Sequence, residues 1–305
     1  MLSLTFLGTS AARPTVERSV TSLAVSRDGE TLMFDCGEGT QRQMMRYGVS
    51  FSLTEIFFTH FHADHYLGII GLARTLALQG RTEPICFYGP KGAKRILGAA
   101  MNLGVERATF PIEIQELKPG DVLVRKGYDL EVLRVDHGSA AVGYALREHA
   151  RLGRFNPERA RELGIPEGPL WGRLHRGEPI EVPGGGIVEP TELVGAPRPG
   201  RLVVLSGDTR PCESVVAAAH GADLLVHDAT FGDEEKDRAL ETQHSTAAEA
   251  ARVALAAQVK RLVLTHFSAR YSATAKLLAE EAREVFRHVT VAKDGMELEV
   301  PFADE

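Results

Sequence analysis

The sequence predicts an α+β protein of layered αββα architecture, with two sheets packed face to face inside and helices outside. Two observations predict it. Short apolar or alternating runs interleave with helical patterns in both halves of the 305-residue chain, so each half supplies a sheet and its covering helices. Between the halves, the composition changes over residues 150–199, which reads as a lid, arm or insertion.

Taken in order, strands are expected at 2–7, 20–25, 31–34, 55–59, 85–88, 129–135 and 141–146. Helical spacing marks 38–47, 66–78 and 91–103, which end near Gly48, Gly80 and Gly104, as helices commonly stop. The inserted stretch follows, with glycine and proline clustered at 164–169, 183–186 and 195–200. Beyond it, strands are expected at 202–205, 224–226, 261–264 and 296–300, and helices at 213–219, 245–257 and 273–286. The expected organisation is a single domain over 1–305 with an inserted flexible arm and linker at 148–199.

A hydrophobic content of 44% is ordinary for a globular chain of this length and argues against extended disorder. Cys36, Cys86 and Cys212 are far apart and form no CxxC pattern, which excludes a disulfide framework and a cysteine zinc site and fits a reducing cytoplasm. Residues 1–8 alternate like a strand and lack the basic start of a signal peptide. No stretch approaches the length of an uncharged membrane span, so no membrane partner is expected. The net charge of -6 speaks against a nucleic-acid partner. Its distribution reverses the sign locally: residues 147–176 hold seven arginines against four acids. Such a segment is a phosphate-binding surface or a solvated helix face, and charge alone does not decide between them.

His60-Phe61-His62-Ala63-Asp64-His65 is the most informative stretch, following a strand-like run and preceding an apolar helical one. An alternating pair such as His60 and His62 leaves a strand end with both rings on one side. Asp64 and His65 then turn away at the start of the helix, within reach of a second ion. Further candidates end other strands: His137 after 130–135, Asp208 after 202–205 and His266 after 261–264. These seven suffice for two adjacent ions. Histidine and carboxylate ligation without thiolate suits Zn²⁺, with Mn²⁺, Co²⁺ or Fe²⁺ as alternatives.

Several motifs make the reading specific: Phe6-Leu7-Gly8-Thr9-Ser10, Phe34-Asp35-Cys36-Gly37-Glu38-Gly39-Thr40-Gln41, the 60–65 cluster, Gly207-Asp208-Thr209, His227-Asp228-Ala229-Thr230, His244-Ser245-Thr246 and Thr265-His266-Phe267-Ser268-Ala269-Arg270-Tyr271. In this order the chain closely resembles the short-form ribonuclease Z family of the metallo-β-lactamase superfamily. The resemblance implies the four-layer metallo-β-lactamase fold with a protruding arm. It also implies a zinc-dependent endoribonuclease that removes the 3′ trailer from tRNA precursors, leaving a 3′-hydroxyl on the tRNA and a 5′-phosphate on the trailer. By resemblance, His60, His62 and His137 hold one Zn²⁺, Asp64, His65 and His266 hold the other, and Asp208 bridges them. Two adjacent ions can supply a hydroxide nucleophile at neutral pH and neutralise the charge that builds on a phosphoryl group. Asp64 is implied as the proton acceptor. His244 is a candidate proton donor to the leaving oxygen, or else only a histidine preceding the helix cap Ser245-Thr246.

Residues 147–176 coincide with the arm by which this family grips the tRNA elbow. Arg151 and Arg154 lie in it, and 164–170, with Gly168 and Pro169, resembles its Gly-Pro signature. Trp171 reads as an anchor of the arm. Arg270 is a candidate phosphate clamp, and Arg18 lies in a loop implied to sense the RNA 3′ end. That loop reads Pro14-Thr15-Val16-Glu17-Arg18-Ser19 where many members have Pro-x-Lys-x-Arg-Asn, so the cleavage position relative to CCA stays open. A second departure is Asp228 in place of the usual glutamate. The expected partners are precursor tRNA and a second copy of the chain as a homodimer, with no DNA. The competing readings are a small-molecule phosphodiesterase or (thio)esterase, which needs the ligands but not the arm, and an RNA-binding module, which has no use for a two-metal ligand set.

Overall fold

The chain opens with a meander, β1 (Leu2–Gly8), β2 (Ser22–Arg27) and β3 (Glu30–Phe34), and continues through α1 (Thr40–Tyr47), β4 (Glu55–Phe57), α2 (Ala63–Tyr66), α3 (Gly68–Leu78), β5 (Ile85–Gly89), α4 (Ala93–Met101) and β6 (Ile112–Glu116). Next come β7 (Val122–Arg125), β8 (Tyr128–Arg134) and β9 (Val142–Glu148), then α5 (Pro157–Glu162), α6 (Pro169–His175) and a hairpin of β10 (Ile180–Val182) and β11 (Gly186–Val188). The last part runs β12 (Leu202–Leu205), α7 (Glu213–Ala218), β13 (Leu224–Asp228), α8 (Lys236–Glu241), α9 (Ala247–Ala256), β14 (Leu262–Thr265), α10 (Ala275–Val285), β15 (Val289–Val291) and β16 (Glu297–Glu299). This computed structural model describes residues 1–303 apart from 106, 139 and 183–185, so most of the glycine-rich stretch 183–186 lies outside the described residues. Two units separate: Met1–Arg147 with the chain from Leu202 onward, and Glu148–Arg201.

The first unit is the expected four-layer sandwich. One sheet has the order β16-β1-β2-β3-β4-β5-β6 and the other β15-β14-β13-β12-β9-β8-β7. Within them β3 to β6 and β12 to β15 are parallel runs, which bring several strand C-termini to one edge of each sheet. The period-2 alternation of strands sorts the side chains into layers. Leu32, Phe34, Val203 and Leu205 point into the core between the sheets, whereas Met33 packs under α1, α3 and α4, and Leu202 and Val204 pack under α7, α9 and α10. Between the sheets, Phe57 stacks on Tyr88 at 4.8 Å and meets the edge of Tyr144 at 5.6 Å. The Tyr144 hydroxyl donates to the Phe58 carbonyl at 2.7 Å, a bond from β9 in one sheet to the end of β4 in the other.

Several expectations shift. The run 55–59 is a strand only to Phe57, because the Thr59 N–H turns to the Asp35 carboxylate instead of the ladder. The helix expected at 66–78 is two helices, α2 and α3, and the first already begins at Ala63. β6, β7 and β15, all edge strands, were not foreseen: exposed Glu113, Gln115 and Glu116 interrupt the apolar pattern of β6, and β7 and β15 are only four and three residues long. Helix α9 starts at a capping box, with Thr246 as N-cap and Glu249 returning the bond.

The second unit ends at Arg201 rather than 199 and is more regular than its composition suggests. Asn156 caps α5, and Pro157 and Pro169 occupy the first turns of α5 and α6, where a missing N–H costs nothing. Ala160, Ile165, Leu174, Ile180, Val188 and Leu193 form a core of its own. Trp171 anchors it, donating Nε1–H to the Ile165 carbonyl at 3.2 Å and packing on Phe155 at 5.2 Å. At the two ends of the unit, Arg201 holds Glu148 bidentately at 2.7 and 2.8 Å, both side chains buried. Among the described residues no helix is long and apolar enough to cross a membrane.

Candidate metal centre

Six chain segments converge at the strand ends of the first unit. His60 and His62 follow β4, Asp64 and His65 open α2, His137 follows β8, Asp208 follows β12, Asp228 ends β13 and His266 follows β14. Gly207 lets β12 turn in: at φ +61° its position leaves only 3.0 Å between a built Cβ and the Thr59 side chain. Asp35 and His266 hold positive φ values of 57° and 62°, a conformation that costs a non-glycine residue about 1–3 kcal/mol.

Donor atoms at about 2.0–2.1 Å from a tetrahedral ion stand about 3.3–3.4 Å from one another. One set meets this closely. His65 Nε2, His266 Nε2 and Asp208 Oδ2 are mutually 3.3 Å apart, and Asp64 Oδ2 lies 3.3 Å from His266 Nε2 and 3.5 Å from His65 Nε2. A second set comprises His60 Nε2, His62 Nδ1, His137 Nε2 and the same Asp208 Oδ2. His62 Nδ1 is 2.9 Å from His60 and 3.3 Å from His137, with Asp208 at 3.6 and 3.9 Å from those two. The donor chemistry and the spacing fit two divalent cations sharing Asp208.

Oxygen acceptors outside the centre set the orientation of the rings. His65 Nδ1–H donates to Asp35 Oδ2 at 2.8 Å and His137 Nδ1–H to the Gln243 carbonyl at 2.8 Å. Thr59 donates its hydroxyl to Asp35 and so accepts from His60 Nδ1–H at 3.1 Å; Thr230 donates to Asp228 and accepts from His266 Nδ1–H at 3.0 Å. Each of the four rings therefore turns an Nε2 lone pair inward, as a ligand requires. Asp64 Oδ2 also accepts the Ala12 N–H at 2.7 Å.

The electrostatics have the same sense at four of these groups and the opposite sense at His65, where Asp208 and Asp35 outweigh burial and raise the pKa well above its usual value. Burial keeps His60 and His62 neutral, pushing their pKa values down, with neighbouring histidines adding to it. For Asp208, burial opposes ionisation, but His266, His65 and His60 outweigh it and hold the carboxyl well below the usual range. Asp64 is likewise lowered, its burial offset by His266 and His65.

His244 lies beside these donors, its ring 4.7 Å from His137 and 5.1 Å from His266. Its Nδ1–H donates to Asp228 Oδ2 at 2.8 Å, so the shorter carboxylate at 228 does reach the ring. Burial disfavours the imidazolium, yet Asp228 prevails and lifts the pKa to about 9. Arg210 ties the segments together. Its backbone N–H donates to the Asp136 carbonyl, and its guanidinium to the His244 carbonyl at 2.7 Å and to both Glu249 oxygens at 2.6 Å.

All seven ligand candidates and His244 thus fall in one cluster. The other candidates are placed differently. Arg18 is buried, its guanidinium bonded to Thr9 Oγ1 at 2.6 Å and the Ala292 carbonyl at 2.8 Å and lying over the Phe267 ring. Arg270 is paired with Glu235 and lies over Phe231, whose ring is 6.3 Å from that of His244. Arg151, Arg154, Gly168 and Pro169 belong to the second unit, with Gly168 at φ 145° leading into Pro169. Asp35, Thr59, Thr230, Ala12 and Arg210 were missed as site residues. The available signals were the motifs at 34–41 and 227–230, which hold Asp35 and Thr230, and the strand-end positions of Asp35 and Thr59, like those of the candidate ligands.

Comparison with known proteins follows this geometry. A beta-lactamase superfamily domain model matches residues 185–267, and the model of the anti-Pycsar protein Apyc1 matches residues 2–149. The Ribonuclease Z of Gemmatimonas aurantiaca is 58% identical over 306 aligned residues, covering 100% of this chain and 98% of that one. That of Myxococcus xanthus is 57% identical, covering 100% and 99%. The crystal structure of human tRNase Z, short form, superimposes with a TM-score of 0.72 at 28% identity, covering 98% of this chain and 100% of that one.

Proposed function

The chain belongs to the ribonuclease Z family, and from that premise we propose how its own residues carry out the cleavage. The protein is a tRNA 3′-processing endoribonuclease on the metallo-β-lactamase fold and uses divalent metal. The proposed occupants are two Zn²⁺ per subunit, one held by His60, His62 and His137, the other by Asp64, His65 and His266, with Asp208 shared. The observation that carries this is the single oxygen, Asp208 Oδ2, that completes both donor sets. When bound, such ions activate a water and neutralise charge on the phosphoryl oxygens.

The chain's residues supply the rest. Asp64, fixed by the Ala12 N–H, accepts the proton of the attacking water. His244, held as imidazolium by Asp228, donates a proton to the departing 3′ oxygen. The products are a tRNA ending in a 3′-hydroxyl and a trailer beginning with a 5′-phosphate.

The second unit is proposed to grip the tRNA through Arg151, Arg154 and the backbone at Gly168-Pro169, reading shape rather than sequence. Its separate core makes it a grip that can be removed whole. A homodimer is proposed through the helices after Glu38 and His60, where Met45, Leu67 and Leu78 are exposed. The three unpaired cysteines support a reducing, cytoplasmic setting.

The test is cleavage of one tRNA precursor, with and without CCA, by metal-loaded protein, with both product ends mapped to the nucleotide. A cut at the trailer junction with the stated ends is expected, absent after chelation and in Asp64→Ala. Hydrolysis of a small phosphodiester without any cut in tRNA would favour a small-molecule enzyme.

A further inference from the structure

The loop that gives the Ala12 N–H to Asp64 runs on into a second concavity. At residues 17 and 18 it becomes one wall of a cavity of about 760 Å³, whose other walls are the end of α1, one face of α10, β15 and residues 293–294. Four exposed cations line it: Arg46, Lys276, Arg283 and Lys293. Among the described residues none of them makes an ion pair; Arg283 donates only to the Val289 carbonyl at 3.0 Å, and Arg46 lies 5.4 Å over the Tyr47 ring. The acids of the cavity are mostly engaged. Asp294 accepts from Thr9, the Ser19 N–H and Gln43, and Glu17 accepts from Ser272; with Glu280 these acids are outnumbered by the four cations and the buried Arg18. An acidic chain thus presents a concave surface of net positive charge with a half-buried aromatic ring in it.

Single charges spread along a groove suit the backbone of a flexible single strand better than a rigid duplex. Five residue steps lead from Ala12 to Glu17, so the cavity begins within about 18 Å of the residue bonded to Asp64, at ~3.6 Å per step. That is about five stacked nucleotides at ~3.4 Å each. We propose that this cavity binds the backbone phosphates of the single-stranded RNA on the 3′ side of the scissile phosphate, the trailer. The inference rests on the RNA cleavage assigned above.

The experiment uses the full, metal-loaded chain and the variant Lys276→Gln/Lys293→Gln, whose changes are at exposed positions and whose melting temperature is compared with the parent's. Two precursors differ only in the trailer, about two nucleotides in one and about fifteen in the other. The expected result is that KM for the long-trailer precursor rises with kcat unchanged, and that its log–log salt slope shrinks by about 1.4, or ~0.7 for each lost phosphate contact. The short-trailer precursor is cleaved as by the parent protein. An equal rise for both precursors, or none for either, would overturn the assignment. Failure of the parent protein to cut the short-trailer precursor would instead strike the RNA-cleavage reading itself.

Discussion

Replacing Asp35 with asparagine tests whether the ligands are oriented from outside the centre. Asp35 Oδ1 accepts the Thr59 N–H at 2.7 Å; Oδ2 accepts the Thr59 hydroxyl and His65 Nδ1–H, both at 2.8 Å. An asparagine has one oxygen and one NH₂ to set against three donors. If the oxygen faces the Thr59 N–H, the NH₂ meets His65 Nδ1, and the ring must move its proton to Nε2, the atom proposed to bind metal. If the oxygen faces His65, the NH₂ confronts a buried N–H. Either arrangement leaves one buried polar group unsatisfied, at a cost of about 1–3 kcal/mol. At ~1.4 kcal/mol per decade this is about a 5- to 150-fold loss of metal affinity, in line with the ~10- to 100-fold typical when the partner of a ligating histidine is removed. The assay is a zinc titration against a competing chelator on Asp35→Asn and the parent protein, with tRNA binding measured alongside. Metal affinity within twofold of the parent, with the fold intact, would refute the reasoning.

Asp228→Asn removes the carboxylate that most lifts His244 and leaves only Asp208 against its burial, so the imidazolium is lost at lower pH; the alkaline limb of the kcat–pH profile should move toward acid. The sign carries over to stability. The pKa of about 9 lies above the reference 6.5, so this pair stabilises the fold fully below pH 6.5 and loses its effect as pH rises through 9. His244→Ala should lower kcat by about 10²–10⁴ with tRNA binding unchanged, measured under single-turnover conditions. Glu148→Ala takes the bidentate partner from the buried Arg201 guanidinium, a loss of about 3–5 kcal/mol. It should appear as faster hydrogen exchange within 149–200 and weaker tRNA binding, with hydrolysis of a small phosphodiester retained. Arg210→Met should lower both melting temperature and kcat, because it strands the Glu249 carboxylate and frees the His244 carbonyl together.

The cluster of candidate ligands was legible because metal chemistry admits few residue types and strand ends place them at readable spacings. His60, His62, Asp64 and His65 are adjacent in the chain, and His137, Asp208 and His266 each follow an apolar run. Their outer partners were not legible. What His137 needs is any oxygen at the right place, and it finds a backbone carbonyl 106 residues away at Gln243. Thr59 and Thr230 serve as relays through hydroxyls that nearly any surface loop also carries. The arginines do not discriminate, for the opposite reason. A guanidinium able to clamp phosphate is equally able to close a loop, and Arg18 does so with Thr9 and Ala292. The short helices of the second unit escape because six or seven residues do not complete two helical turns, so no period can be read.

The two sheets contribute unequal halves of the centre. His60, His62, Asp64 and His65 come from the end of β4 and the helix after it, whereas His137, Asp208 and His266 come from strands of the other sheet. Neither proposed donor set is complete on one sheet alone, so a bound ion bridges the sandwich. Its binding free energy therefore adds to the packing between the sheets, where Phe57, Tyr88 and Tyr144 meet and the Tyr144 hydroxyl already joins β9 to Phe58. The converse also holds: with no cation, five imidazole nitrogens and two carboxylates face one another across that seam with only partial neutralisation. Bound metal should therefore stabilise the seam as well as serve the reaction, and its removal should loosen the seam before it disturbs the helices outside.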